Sequence, residues 1–366
     1  MNMRQGRIGK QEAAALALLA CVTSGLFSMN TKTLYASGNS AYLSSALAAM
    51  LSLLSLLPVA GVMRRKGIRD LGTLYRFAFG PLLAPLAAAL TLTAILYAAV
   101  MPLIRLLLIM DRYVYPEANV ENIALYLLPC VLTLAWMGLE ILGRTAKLFV
   151  IPVLLSLVAA FCIAIPSYEA FRLYPLLGNG LGEALWHGVT GMARFLPGLL
   201  CLLICGCGVH GPKNAAQGAA VGAVGSAATV GSAQLFMGMA YPYYMLSRIP
   251  APMYRVTMAA SGAKAYLRAD KVLLFFWILG AMLAGGFYAY AGALVFAGAS
   301  RMRDIRPAVA AVAALVCALA MLGQLNVEQF QDVENFLRDT VWVFALAPPL
   351  LAAVIASLEK GKYSSV

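Results

Sequence analysis

The chain has 366 residues, of which 62% are hydrophobic and only 11% are charged. Soluble domains carry roughly 25% charged residues, so this composition excludes an ordinary soluble protein and indicates an integral membrane protein. The formal net charge of +12 does not predict a nucleic-acid partner, because Lys and Arg in a membrane protein first report its orientation across the bilayer.

Ten apolar stretches, each long enough to cross a bilayer as a helix, follow one another along the chain. A spanning helix needs about 20 mostly apolar residues, and continuous Leu, Ala and Val runs favour helices over the alternating strands of a membrane barrel. The predicted spans lie near 11–30, 41–63, 82–109, 122–140, 144–166, 192–210, 216–238, 270–298, 306–325 and 336–357. We therefore predict an all-α integral membrane protein of ten transmembrane helices, with one transmembrane domain over 1–366.

Charged residues between the spans predict the orientation. With the N-terminus in the cytoplasm, the inside segments carry most of the Lys and Arg residues, as expected for cytoplasmic loops. The predicted outer loops after spans three and nine are instead acidic, with Glu121 in the first loop and Asp332 and Glu334 in the second. Both termini are therefore predicted to be cytoplasmic, in a multi-pass protein of the cell membrane.

Ten spans with both ends inside divide into two sets of five, which predicts an inverted repeat of 1–166 and 167–366. Transporters built in this way often break the first helix of each half near the membrane midplane, where the exposed backbone binds substrate or ions. The second half also holds a long outer loop over 239–269, rich in Tyr and Pro. That composition fits an aromatic anchor at the membrane interface or a lid over an outer vestibule.

Spans one and six carry the residues expected at such breaks. Span one contains Thr23, Ser24 and Gly25 in an otherwise apolar run; Gly weakens a helix, and hydroxyls can satisfy backbone groups that unwinding frees. Span six contains Pro197 and Gly198, and Pro removes a backbone donor. The alternative is close packing against a neighbouring helix, where small residues are common.

A ligand pocket between these spans is predicted to be mainly apolar and aromatic. Tyr97, in the middle of span three, is well placed to face the break in span one, although a core tyrosine bonded to nearby backbone fits equally. From the second half, Leu199 follows the Pro-Gly pair and Tyr288 lies in the middle of span eight. These three residues join Thr23, Ser24, Gly25 and Gly198 as predicted ligand-binding residues.

Charged residues within or beside the spans are candidates for gates or structural contacts. Arg105 lies toward the outer end of span three, where it either extends to the membrane surface or faces a vestibule. Glu140 and Arg144 lie four residues apart at the inner junction of spans four and five, which predicts a structural ion pair rather than a gate. No carboxylate is securely placed at mid-membrane, which argues against a proton antiporter.

The sequence predicts neither an enzyme nor a metal or cofactor site. It contains no phosphate-binding Gly-Lys-Ser/Thr loop and no His-Glu-x-x-His zinc motif. Cys201, Cys205, Cys207 and His210 follow one another in span six, but helical geometry turns Cys207 about 160° away from Cys205. Packing of small residues explains this group better than metal binding.

Three local patterns resemble the spore germination permeases, the B-type (GerAB-type) subunits of nutrient germinant receptors. They are GLEILGR over 138–144 with the later Pro152, YPLLGNG over 174–180, and LRAD over 267–270 leading into Trp277. The resemblance covers essentially the whole chain, and length and ten-span topology support it.

The resemblance implies the fold of the amino acid-polyamine-organocation superfamily, similar to LeuT, with a small-molecule site between spans one, three, six, eight and ten. It places Gly25 in the break of span one, and Tyr97 and Leu199 in pocket-facing stretches. The family pattern also has an acidic residue near 195–200, which this sequence lacks.

Family members work in the inner membrane of endospores with an A-type membrane subunit and a C-type lipoprotein. Their ligands are amino acids or other nutrients, such as sugars and nucleosides. The first functional hypothesis is therefore a nutrient-sensing receptor subunit that signals the start of germination, with an amino acid as the expected ligand. The alternatives are a stand-alone permease for amino acids or polyamines, and a ligand-blind membrane scaffold.

Overall fold

The computed structural model describes residues 7–28, 31–117, 119–246, 248–249, 251–262 and 269–359. At 31–33, 212, 259–262, 269 and 327–331 it describes the backbone alone. The α-helices are α1 Lys10–Phe27, α2 Thr31–Ser37, α3 Ala41–Lys66, α4 Leu71–Ile109, α5 Val120–Met137, α6 Leu139–Ala164, α7 Leu181–Thr190, α8 Met192–Ile204, α9 Pro212–Ala240, α10 Tyr243–Leu246, α11 Pro252–Gly262, α12 Ala269–Ala299, α13 Arg306–Leu325 and α14 Val327–Leu358.

Within the described ranges, nine helical segments are long and apolar enough to cross a membrane. The prediction of an all-α membrane protein is confirmed. The first predicted span, 11–30, is not among these nine segments. Helix α1 at this place has 18 residues that include Lys10, Gln11 and Glu12, and residues 29 and 30 lie outside the described ranges, so the count of ten spans stays a prediction. Most of α1 is nevertheless buried in the bundle, where neighbouring helices cover it.

The helices form two contacting groups. One contains α1, α3, α8 and α9, and the other contains α4, α5, α12 and α13. In each group the helices of the predicted first half contact their counterparts in the second half: α1 with α8, α3 with α9, α4 with α12 and α5 with α13. The two halves therefore interleave rather than lie side by side, although the domain boundary at 166 stays a prediction.

The interruption of helix one does not occur at Gly25. That residue is helical and buried, and α1 continues to Phe27 before Ser28 closes the last turn with a 3.0 Å bond from its amide to the Ser24 carbonyl. The chain becomes helical again at Thr31, and residues 29 and 30 lie outside the described ranges. The predicted break is therefore misplaced by several residues, and Gly25 follows the alternative of close packing.

Helix six is irregular, as predicted, but not at Pro197 and Gly198. Pro197 and Gly198 lie inside α8, which is helical throughout. The irregular points are Gly191, between α7 and α8, and the tight 3₁₀ turn Cys205–Gly208 followed by extended Val209. The backbone of Ile8 pairs with this extended stretch. The Ile8 amide donates a 2.9 Å hydrogen bond to the Gly208 carbonyl, and the Ile8 carbonyl accepts a 2.9 Å hydrogen bond from the His210 amide.

The predicted outer loop folds back onto the bundle as two short helices. Helix α9 extends to Ala240, and α10 and α11 follow it; α11 contacts α6, α9 and α12. Tyr254 of α11 is buried and donates a 3.0 Å hydrogen bond to Asp270 at the start of α12. The basic residues Lys264 and Arg268, and with them part of the LRAD pattern, lie outside the described residues.

Candidate functional site

A buried pair of hydroxyls joins three helices, α1, α4 and α12, inside the bundle. Ser24 Oγ of α1 and Tyr288 OH of α12 lie 2.9 Å apart, and both side chains are fully buried. The Ser24 hydroxyl also lies 3.3 Å from the Ala98 carbonyl of α4, and the Tyr288 hydroxyl lies 3.1 Å from the Ala20 carbonyl of α1. Each hydroxyl has one proton, so the two protons are shared among these three contacts. We call Ser24 and Tyr288 the central hydroxyl pair.

Two glycines bring α8 against α1 beside this pair. A β-carbon added at Gly198 would lie 2.9 Å from Cys21 Sγ and 3.1 Å from Tyr288 OH. One added at Gly25 would lie 2.9 Å from the Phe195 ring of α8. Real β-carbons do not approach so closely, so both positions require glycine for this spacing. The sequence predicted these glycines as ligand-binding residues, and the structure brings both to the junction.

The remaining predicted pocket residues are buried but do not bond to the central hydroxyl pair. Thr23 faces α12, where its Oγ1 would lie 3.5 Å from a β-carbon at Gly280. Leu199 is fully buried in the apolar core. Tyr97, the residue before Ala98 in α4, is also buried, and the charged side chains near it include Arg105, Arg194 and Glu334. The predicted set therefore divides into a central junction and a neighbouring charged region.

Arg105 and Glu334 form a buried ion pair in that charged region. Arg105 Nη2 lies 2.8 Å and 3.0 Å from the two carboxylate oxygens of Glu334, and the two side chains are 12% and 3% exposed. Of the two alternatives for Arg105, extension to the membrane surface does not fit this pairing, because the guanidinium is neutralised inside the bundle. The placement of Glu334 in an outer loop is also wrong, since α14 starts at Val327 and carries it inward.

A second arginine, Arg194 of α8, was missed by the sequence analysis. It is only 6% exposed, and translocon-based scales give about 2.5–3.5 kcal/mol for an Arg at the centre of a membrane helix. Its Nη2 donates to Ser45 Oγ of α3 at 3.4 Å, and its guanidinium lies 5.7 Å from the Phe195 ring centre. The sequence feature that could have identified Arg194 is that it is the one charged residue in the apolar stretch 192–204.

Glu140 and Arg144 form an ion pair one helical turn apart at the surface of α6. Arg144 is largely exposed, and pairs of this kind contribute about 0.3–0.5 kcal/mol. Beside them, Gly143 packs closely against the N-terminal segment, because a β-carbon added at Gly143 would lie 2.8 Å from Ile8 and 3.0 Å from Glu12. The N-terminal segment therefore covers this end of the bundle through its contact with Gly143. The exposed ion pair of Glu140 and Arg144 lies outside that contact.

The structure does not assemble the cysteines of span six into a metal site. Within the residues it describes, no group of three or more His, Cys, Asp or Glu side chains is placed to hold a metal ion. Cys207 lies instead 3.5 Å from a carboxylate oxygen of Asp70. The absence of a metal or cofactor stays a prediction.

A small cavity of about 20 Å³ lies away from the central hydroxyl pair, between the segment joining α2 to α3 and helices α9, α10 and α11. Asn39, Gln234 and Tyr243 contribute its polar lining. A volume of this size holds a water molecule and no nutrient. At the junction itself the helices are in contact, so a ligand there has to separate them.

Solved transporters share this architecture. The structure aligns with a Na⁺-coupled sialic acid symporter in a substrate-bound outward-open state at a TM-score of 0.66, with 9% identity over 98% of this chain and 92% of that one. It aligns with the manganese transporter of Eremococcus coleocola, in complex with an aromatic bis-isothiourea compound, at a TM-score of 0.59, with 14% identity over 95% of this chain and 84% of that one. No protein-family model and no curated protein sequence matches the chain.

These likenesses show the fold. The chain is a multi-pass membrane protein with the LeuT-like fold of secondary transporters, as the family resemblance implied. In such folds the small-molecule site lies near the bilayer midplane, between the interrupted helices of the two halves. In this chain α1 and α8 cross at Gly25 and Gly198, beside the central hydroxyl pair.

Proposed function

We propose that this chain is the nutrient-sensing membrane subunit of a spore germinant receptor, with no enzymatic activity, and that it binds a small nutrient at the central junction. The observation that carries the proposal is the bonding of Ser24 and Tyr288, which ties α1, α4 and α12 together where Gly198 of α8 approaches them. A ligand at this point contacts helices of both halves. The three sequence patterns that resemble germination permeases supply the biological role.

The junction suits a sensor because its closed arrangement is held by few polar contacts. Ser24 and Tyr288 bond to each other and to backbone carbonyls, so a nutrient with its own donors and acceptors replaces these bonds as it enters. A ligand shifts a conformational equilibrium only when it binds one state better than the other. Separation of α1 from α8 is the change that a ligand at this junction favours.

The resemblance gives the proposed assembly. The chain then works with an A-type membrane subunit and a C-type lipoprotein in the inner membrane of the endospore, with both of its termini in the cytoplasm. The separation of the helices passes to those partners and starts germination. Membrane lipid surrounds the bundle, and an amino acid is the favoured nutrient.

Germination of spores tests this proposal. Spores that lack the chain should lose refractility normally with most nutrients but fail with one class among amino acids, sugars and nucleosides. Restoring the chain as Gly198→Val should not rescue that response, because the added side chain enters the space of Cys21 and Tyr288. Gly61→Val is the matched control, since a β-carbon at Gly61 meets nothing within 4 Å. Full rescue by Gly198→Val, with normal membrane insertion, would remove the junction from the sensing mechanism.

The second candidate is a stand-alone permease for amino acids or polyamines, which the similarity to secondary transporters favours. It predicts uptake of radiolabelled substrate by proteoliposomes that contain this chain alone. A receptor subunit binds the nutrient under the same conditions without accumulating it. A ligand-blind scaffold neither binds nor accumulates any nutrient and tolerates Gly198→Val in spores.

A further inference from the structure

Arg194 is a buried cation that forms no ion pair with a carboxylate among the residues that the structure describes. Its side chain donates one hydrogen bond in the part of the chain that the structure describes, to the uncharged hydroxyl of Ser45. A guanidinium carries five N–H donors, so most of its donor capacity is unused. The Phe195 ring beside it offers an apolar face and no acceptor oxygen.

The neighbouring carboxylates are already paired with other arginines. Glu334 is held by Arg105, and Asp339 accepts two hydrogen bonds from Arg338 at 2.8 Å and 2.9 Å. Arg105 and Arg338 are therefore each paired with a carboxylate, whereas Arg194 forms no ion pair with a carboxylate among the residues that the structure describes.

Arg194 lies next to the central junction rather than at a distant surface. The adjacent residue, Phe195, packs its ring against Gly25 and accepts a 3.5 Å hydrogen bond from Cys21 on its carbonyl oxygen. Arg194 also lies one helical turn before Gly198 on α8, and residues four apart share a face of a helix. Helix α4, which carries the buried Tyr97, contacts α8. A ligand that separates α1 from α8 at Gly198 therefore comes within reach of this guanidinium.

We propose that Arg194 binds the carboxylate of the nutrient, so that this chain recognises small molecules with a free carboxylate and rejects neutral sugars and nucleosides. The proposal rests on the proposed nutrient site and names its ligand class. The planar guanidinium matches a carboxylate with two parallel hydrogen bonds, and burial strengthens that pairing. Tyr97 donates a further hydrogen bond to the same anion, and the Phe195 ring contacts the apolar part of the ligand.

A purely structural role for Arg194 makes different predictions. If the side chain serves only to connect α8 to Ser45 of α3, its replacement lowers stability and leaves the choice of ligand unchanged. If it serves to bind a carboxylate, its replacement removes the preference for the acid over its amide. Ligand preference therefore separates the two roles.

The test uses the full chain in lipid nanodiscs, with thermal unfolding followed by tryptophan fluorescence. The probes are the standard L-amino acids and their carboxamides, which differ only in the charge and acceptor number of the carboxyl group. The variants are Arg194→Gln and Arg194→Lys, with Arg303→Gln as control because Arg303 is exposed. We expect at least one amino acid, and not its amide, to raise the Tm of the unmodified chain.

Arg194→Gln should weaken binding of that amino acid about tenfold or more, since a hydrogen-bonded charge is lost. Arg194→Lys should keep part of the affinity because it keeps the charge without the planar fork, and Arg303→Gln should bind normally. Equal stabilisation by acid and amide, or unchanged binding by Arg194→Gln, would overturn the carboxylate role and leave the nutrient site standing. Stabilisation by no amino acid would overturn both proposals for this ligand class. If Arg194→Gln does not fold, the acid–amide comparison and Arg194→Lys still decide.

Discussion

Replacing Glu334 with Gln leaves the Arg105 guanidinium buried without its counter-charge. The pair is almost entirely inside the bundle, with the carboxylate 3% and the guanidinium 12% exposed. Removal of one partner of such a pair costs about 3–5 kcal/mol, because the remaining charge keeps its desolvation penalty and loses the attraction that compensated it. Glu334→Gln and Arg105→Met should each therefore destabilise the protein by about this amount.

Replacing both partners together should cost much less than the sum of the single changes. The double variant Arg105→Met, Glu334→Leu removes both desolvation penalties and fills the space with apolar groups, so we expect a stability close to that of the unmodified chain. The matching single variant Glu334→Leu, like Glu334→Gln, leaves the Arg105 charge unpaired and should cost about as much. Reversible unfolding by SDS in mixed micelles measures the four free energies of the cycle, those of the unmodified chain, Arg105→Met, Glu334→Leu and the double variant. The expected coupling energy is about 3 kcal/mol or more.

The pair formed by Arg338 and Asp339 provides the control. Its two hydrogen bonds are equally short, but Asp339 is 54% exposed. Asp339→Asn should therefore cost less than about 1 kcal/mol, as for exposed pairs. If the losses from Arg105 and Glu334 simply add, or if Glu334→Gln costs no more than Asp339→Asn, the two side chains are solvated and the buried-pair reasoning fails.

Three further outcomes are expected. Gly25→Ala should lower the free energy of unfolding by about 1–3 kcal/mol in the same assay, because its β-carbon would lie 2.7 Å from a valine methyl. Gly61→Ala should instead raise the free energy of unfolding by up to about 1 kcal/mol. Equal effects of the two substitutions would contradict the close packing at Gly25. Ser24→Ala and Tyr288→Phe should each cost about 0.5–1.5 kcal/mol and be non-additive, and independent losses would mean that the two hydroxyls do not bond. Gly143→Val should speed amide hydrogen exchange in the segment before α1, whose isoleucine methyl would lie 2.8 Å from the new β-carbon; unchanged exchange would show that this contact does not hold the segment.

Sequence reasoning located the membrane helices well because the bilayer imposes length and hydropathy on each of them. It also selected Ser24, Gly25 and Gly198, since small and hydroxyl-bearing residues are conspicuous in an apolar run. Their arrangement was not predictable in the same way. A glycine permits both a helix break and a close helix contact, and only the position of Phe195 across from Gly25 distinguishes the two.

Charged residues were the least predictable part of the site. Glu334 follows a polar stretch that resembles a loop, yet the chain is helical there and turns the carboxylate toward Arg105. Arg194 is a single charge in an apolar segment, and sequence spacing does not show whether such a residue is paired. In the structure its described partners are Ser45 and the Phe195 ring, and the nearby carboxylates belong to other arginines.

The sequence by itself determined that this protein spans the membrane many times, that its helices divide into two halves, and which small residues interrupt its apolar runs. These properties follow from the environment of each segment, lipid or water, and the composition of each segment indicates that environment without reference to the others. Only the tertiary structure decided which helices touch, where the first helix ends and which buried arginine has no ion pair among the described residues. Those properties depend on residues far apart in the chain, and packing alone brings such residues together.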